Sequence, residues 1–246
     1  MVQVSIFGAG RRWWSDVASR HGHLAAARQF LAALWEFARD STPERRRQRY
    51  GDADYDWNHR VNTTSGAVGW RERLVGQFHS SYQPTEPAVF HEMLEGLQQQ
   101  TRIDYRDFLF VDLGSGKGRT LLMASDYPFR RIVGIELLPS LHQIALENIS
   151  KYQSESQKCH VLQSICDDAT NFRFPAQPTV VYLFHPLPDA GLRRLIVNLT
   201  ESLRHNPRPV YVLYHNPLLE NVVLESPVLR KIAGAEQYSA YASQPT

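Results

Sequence analysis

The segment Phe110-Val-Asp-Leu-Gly-Ser-Gly-Lys-Gly-Arg119, followed by Ile132-Val-Gly-Ile-Glu136, decides how this chain folds. A short apolar run ends in Asp112, a glycine turn follows, and a second apolar run ends in Glu136. Short apolar runs bounded by turns read as buried strands. Acids at the ends of two such strands place polar chemistry at one edge of a parallel sheet, where open α/β sheets bind nucleotide-type ligands. Gly114, Gly116 and Gly118 permit backbone angles and close approaches that a Cβ would block. The helix expected from residue 118 offers free N–H groups and a positive dipole end to the ligand.

The pattern repeats outward from this segment. Strands are expected at 108–113, 131–136, 159–165, 179–184 and 209–214. Helices are expected from 118, from Pro139 to about 151, and from Asp189, as its cap, to about 204. This alternation predicts an α/β fold, a doubly wound and mostly parallel sheet. The tail from 217 has room for one short helix and a β-hairpin around Gly234. Tyr82-Gln-Pro-Thr85 reads as a turn into a helix over 86–99, with Ala88, Phe90, Met93, Leu94 and Leu97 on its buried side. Residues 1–80 form a separate, helical N-terminal segment and 81–246 the sheet domain. All five tryptophans (Trp13, Trp14, Trp35, Trp57, Trp70) belong to that first segment. Leu24, Ala27, Leu31, Leu34, Trp35 and Ala38 make an apolar stripe on a helix over His23–Arg39. Ser41 and Glu44 have capping-box spacing for another short helix, and 50–69 reads as an irregular loop.

Composition narrows the class without choosing a function. The 246 residues are 43% apolar and 21% charged, with net charge +2, the profile of an ordinary globular protein. The basic residues are spread out and matched by acids, so nucleic acid is not an expected partner. The one dense run, Glu44–Arg49, reads as a solvated helix face or an anion contact. No apolar run approaches the roughly 20 residues of a membrane helix, and Arg11-Arg12-Trp13-Trp14 interrupts any signal-peptide core. A soluble, cytoplasmic protein without membrane association is expected, with its oligomeric state open. Cys159 and Cys166 both read as small core residues. His21-Gly-His23 has no third ligand nearby, so no metal is expected. Ile6-Phe-Gly-Ala-Gly10 is also a G-x-G after an apolar run, but no helix or distal acid follows, and it reads as a plain turn.

The glycine spacing selects the ligand. A dinucleotide turn needs its third glycine at position 119, which is Arg here, while the glycine falls at 118. A phosphate P-loop needs a longer loop and a Ser or Thr after the lysine. An acid two residues before the first glycine suits an ammonium group better than a pyrophosphate. With these motifs, residues 82 to about 216 resemble the class I S-adenosylmethionine (SAM) dependent methyltransferases, a Rossmann-like fold. The resemblance implies SAM as cofactor, S-adenosylhomocysteine as product, and no metal. It implies that Gly114, Ser115, Gly116 and Gly118 wrap the amino-acid end of SAM and that Asp112 holds its ammonium. Glu136 would take the ribose hydroxyls, with Leu137 beside it, and Asp168 rather than Asp167 would meet the adenine amino group. Tyr82-Gln-Pro-Thr85 is similar to the aromatic-x-Pro-Thr segment of the disruptor-of-silencing and mitochondrial lysine methyltransferases. There the segment closes over SAM, which adds Thr85 to the cofactor set and Tyr82 to the catalytic one. A helix N-cap at Thr85 is compatible with that role.

Methyl transfer from a sulfonium requires alignment, exclusion of water and, where needed, acceptance of one proton. The place to look is the end of the fourth strand, Tyr182-Leu-Phe-His-Pro-Leu187. Phe184 is assigned there to the cofactor. Where the resembling enzymes carry Asn or Asp, this chain has His185, which reads as a general base or as a cap or core residue. His215, after the fifth strand, is a weaker repeat of that idea. Trp57, Trp70, Phe78 and Tyr82 either wall a substrate pocket or pack the N-terminal helices, with Trp57 open between the two. The expected activity is methyl transfer to a nitrogen or oxygen of a small molecule or protein amine. Protein-lysine methylation and non-catalytic SAM binding are the alternatives.

Overall fold

The computed structural model describes residues 15, 18–19, 22–28, 30–31, 53–64, 83–184 and 187–244. The chain divides into two compact units, one of residues 1–58 with 64–84 and the other of 59–63 with 85–246.

In the first unit, residues 23–28 are helical as expected. The stripe is rotated, however: Leu24 and Leu31 are exposed while Ala26 is buried. The expected irregular loop over 50–69 contains a helix instead, α1 (Ala53–His59). It is too short to carry a periodic signal, and its Asp and Asn content mimics a loop. Arg60, in the left-handed region at φ 55°, ends the helix. Asp56 accepts the backbone N–H of Thr64 at 2.9 Å, closing the segment that follows. Trp57 is 86% exposed on α1.

The second unit is a doubly wound α/β sheet with strands β1 (Leu109–Leu113), β2 (Arg131–Glu136), β3 (Leu162–Cys166), β4 (Thr179–Phe184), β5 (Val210–His215), β6 (Leu229–Gly234) and β7 (Tyr238–Ser243). Their order is β3-β2-β1-β4-β5-β7-β6. The first five pair in parallel, and β7 joins β5 and β6 antiparallel. The tail therefore does form the hairpin expected around Gly234. Around the sheet lie α2 (Pro87–Thr101), α3 (Arg119–Ala124), α4 (Pro139–Lys151), α5 (Asp189–His205) and α6 (Glu220–Leu224). Pro139 starts α4 because its missing N–H is one the first turn leaves unpaired. β1 is buried along its whole length and β4 in all but Phe184, as continuous apolar strands between helical layers must be. Val111, Leu113, Val181, Leu183, Leu195, Leu199, Val212 and Tyr214 form the core between the sheet and α5.

Four local expectations are corrected. Ala88 is exposed, because the buried side of α2 runs through Phe90, Met93, Leu94 and Leu97. Asp189 is the first residue of α5 rather than its cap, and its carboxylate accepts from Arg193 one turn on. Cys159 is buried, but Cys166 is exposed at the end of the edge strand β3. Thr85 is not the cap of α2, since Glu86 holds that position and the Thr85 hydroxyl bonds elsewhere.

Candidate ligand site at the carboxyl edge of the sheet

The strand register builds the site. Ser164, Gly134, Asp112, Tyr182 and Leu213 are successive partners across β3, β2, β1, β4 and β5, so they form one row on the same face. The turn after β1 is tied to the end of β2: the N–H groups of Gly114 and Ser115 both donate to the Ile135 carbonyl, at 2.9 and 3.0 Å. Gly114, Gly116 and Gly118 have φ of 92°, 54° and 83°, so each sits where a side chain would strain the backbone. Gly118 also lies against α4, where a Cβ would come within 3.2 Å of the Ala145 Cβ.

Gly134 is a residue the sequence reading passed over. A Cβ on it would lie 2.5 Å from Ser115 Oγ and 2.7 Å from Leu121 Cδ1. The bare Cα in mid-strand is what lets the turn and α3 descend onto the sheet. It also places the buried Ser115 hydroxyl against β2, without a hydrogen-bond partner.

Two buried acids face this turn. Asp112 accepts a hydrogen bond from the Thr120 hydroxyl in the first turn of α3. Burial pushes its pKa up to about 7, the Thr120 bond opposes that rise, and the charge of Glu136 adds to it. Glu136 accepts the N–H of Gly116 on one oxygen and of Leu138 on the other, both at 2.8 Å. Burial raises its pKa against the pull of these backbone donors. Each of its oxygens keeps a further acceptor position. Among the described residues, neither acid forms an ion pair. These acceptor oxygens suit a cation at Asp112 and hydroxyl donors at Glu136.

The other expected site residues fall as follows. Leu137 and Phe184 are half-buried at the ends of β2 and β4. Asp168 is half-buried and caps the turn at Ala169–Asn171, accepting the Thr170 N–H at 2.9 Å and its hydroxyl at 2.7 Å on one oxygen. Thr85 is buried and shares a 2.8 Å hydrogen bond with the Tyr182 phenol. His215 shares a 2.9 Å bond with the same phenol and stacks on Phe184, with ring centroids 3.9 Å apart. Burial lowers the His215 pKa to about 4. The two residues expected to be catalytic, His185 and Tyr82, lie outside the described residues.

A second group was not expected at all. Lys117 and Arg119, within and just after the glycine turn, are 0% and 2% exposed. Lys117 Nζ donates to Asn62 Oδ1 at 3.2 Å, and Arg119 Nε donates to Thr63 Oγ1 at 2.6 Å. Buried Asn148 on α4 donates to the carbonyls of Asn62 and Lys117 and accepts the Asn62 N–H. His59 stacks on Tyr152. Residues 59–63 are thus stitched to the glycine turn, more than fifty positions downstream, and only the fold brings them there.

Among the described residues, no three His, Cys, Asp or Glu side chains gather as a metal-ligand group. No helix among them is long and apolar enough to cross a membrane.

No protein-family model and no curated protein matches the chain. Solved structures with a similar arrangement include an RNA methyltransferase from Salinibacter ruber in complex with S-adenosyl-L-homocysteine. It is 25% identical, with 65% of this chain and 92% of that one covered and a TM-score of 0.45. A predicted N6-adenine-specific DNA methylase from Listeria monocytogenes is 16% identical, over 66% of this chain and 52% of that one, at 0.47. The phosphoethanolamine N-methyltransferase 1 of Haemonchus contortus is 15% identical, over 52% and 25%, at 0.38.

Proposed function

We propose that this chain is a SAM-dependent methyltransferase that transfers the methyl group to a nitrogen or oxygen nucleophile on a small molecule or protein amine. The observation that carries the reading is the pair of buried acids on either side of a three-glycine turn, Asp112 and Glu136, which form no ion pair among the described residues. Burying an unpaired carboxylate costs stability, and a ligand carrying an ammonium group next to ribose hydroxyls would offset that cost at both positions.

In this reading Asp112 binds the ammonium group, Glu136 the ribose hydroxyls, and the backbone from Gly114 to Gly118 the amino-acid end. Leu137 and Phe184 flank the cofactor, Asp168 offers its remaining acceptor capacity to the adenine amino group, and Thr85 closes over it. Bound there, SAM would supply an electrophilic methyl carbon on a positively charged sulfur. The protein orients the acceptor, excludes water and receives one proton from it. His185 and Tyr82, flanking the end of β4 and the Pro-Thr segment in sequence, are proposed for that work.

Calorimetry with SAM and S-adenosylhomocysteine tests the cofactor. Wild type should bind. Glu136→Ala loses the carboxylate, and Gly116→Val forces a β-branched residue into positive φ, so both should lose affinity. Absence of binding by the wild type sinks the proposal. Labelled methyl transfer into cell extract, followed by protease, identifies the acceptor class: label that survives in small molecules excludes a protein amine.

A further inference from the structure

Tyr182 stands beside Asp112 in the same row of the sheet, and its phenol has no part in holding the proposed cofactor. The hydroxyl is fully engaged. It shares one bond with Thr85 Oγ1, 97 residues earlier, and another with His215 Nδ1, 33 residues later. All three side chains are buried.

Thr85 needs such an anchor. It precedes α2 without belonging to it, and the helix cap at Glu86 makes no side-chain cap bond that would hold the segment in place. Its attachments point to two sides of the site. Its carbonyl accepts from Arg119 Nη1 at 3.5 Å, at the start of the helix that follows the glycine turn. Its hydroxyl goes to Tyr182 on β4. His215, paired with Phe184 across β4 and β5, takes up the remaining side of the phenol and stacks on Phe184. A continuous path, Arg119–Thr85–Tyr182–His215, therefore crosses the carboxyl edge from the glycine turn to the ends of β4 and β5.

We infer that Tyr182 and His215 are positioning residues that lock Thr85 onto β4, so that Thr85 is set for the ligand by side chains of β4 and β5. This rests on the methyl-donor reading for its ligand. Neither residue touches the reacting atoms in this scheme; both act through Thr85.

The test separates the hydrogen bonds from the packing. Tyr182→Phe removes only the hydroxyl. His215→Phe keeps a ring stacked on Phe184 but lacks the bonding nitrogen, whereas His215→Asn keeps a bonding atom near the Nδ1 position and loses the ring. Thr85→Val removes the same bond from the other end and stands in if Tyr182→Phe does not fold. Two readouts are taken: S-adenosylhomocysteine affinity by calorimetry, and deuterium uptake over residues 83–90 in the ligand-free protein. Thr85→Val and His215→Phe should each weaken binding about five- to tenfold, the loss of one buried hydrogen bond, Tyr182→Phe, which loses both bonds, should weaken it at least as much, and all three should raise uptake. His215→Asn should stay near wild type in both. Wild-type behaviour of Tyr182→Phe, or a normal His215→Phe beside an impaired His215→Asn, overturns the lock. If the wild type binds no S-adenosylhomocysteine, the methyl-donor reading fails, and the uptake pattern alone upholds or overturns the lock.

Discussion

Replacing Asp112 by Asn should stabilise this protein while removing its proposed ligand. The carboxyl is buried, its ordinary pKa of 3.8 is raised to about 7, and burial is the largest cause. An acid whose native pKa exceeds its unfolded value contributes stability that is complete below the unfolded pKa and is lost as the pH rises through the native one. For a shift of this size the full loss is about 4 kcal/mol, of which about 3 kcal/mol falls between about pH 5 and about pH 8. Asn carries no charge to bury, has nearly the same shape, and can donate to the Thr120 hydroxyl that now donates to Asp112. His215 acts in the opposite sense. Its pKa is lowered from 6.5 to about 4, so its contribution is complete above the unfolded value and is lost as the pH falls toward the native one. The wild-type curve sums both effects, so the difference between wild type and Asp112→Asn isolates the acid. Urea or thermal unfolding across this range should show no gap near about pH 4 and an advantage of about 4 kcal/mol to the variant near about pH 8, roughly 10 °C in Tm for a chain of this size. Calorimetry on the same variant should show SAM affinity falling at least tenfold, the loss of one charge-assisted hydrogen bond. A gap that does not change with pH, or a variant less stable than wild type in alkali, would refute the claim that burial of the Asp112 charge opposes folding.

Three further outcomes follow from the geometry. Glu136→Gln replaces one acceptor oxygen by an amide that cannot accept the N–H of Gly116 or Leu138; SAM affinity should fall about tenfold or more by calorimetry. Gly134→Ala drives a Cβ into Ser115 and Leu121, which should cost about 1–3 kcal/mol in chemical unfolding and weaken SAM binding, because the turn must lift off the sheet. Asn148→Ala removes three hydrogen bonds that tie residue 62 to the glycine turn, which should cost about 3 kcal/mol and raise deuterium uptake over residues 59–63.

The sheet was legible because its signals are local. Arg131–Glu136 and Thr179–Phe184 hold short apolar runs, and their expected bounds coincide with the observed strands. Weaker runs drift by a residue or more: β3 begins at Leu162 rather than 159. Helix α1 was not legible at all, since seven residues rich in Asp and Asn carry no periodic pattern. Asp112 and Glu136 were recognisable by their distance along the chain from the glycine turn. Gly134 was not, because its role depends on what lies above it in space.

The sequence by itself determined roughly where the five parallel strands lie, that the turn after β1 needs glycines, and which two acids lie at the ends of β1 and β2. Each of these follows from covalent neighbours and side-chain alternation. Only the tertiary structure decided that β7 enters between β5 and β6, that Asn62 and Thr63 meet the buried Lys117 and Arg119, and that Thr85, Tyr182 and His215 share one hydrogen-bonded path. The side-chain hydrogen bonds among them join residues 33 to 97 positions apart. Their partners are chosen by strand register and by the need of buried polar groups to pair, which no local pattern in the chain encodes.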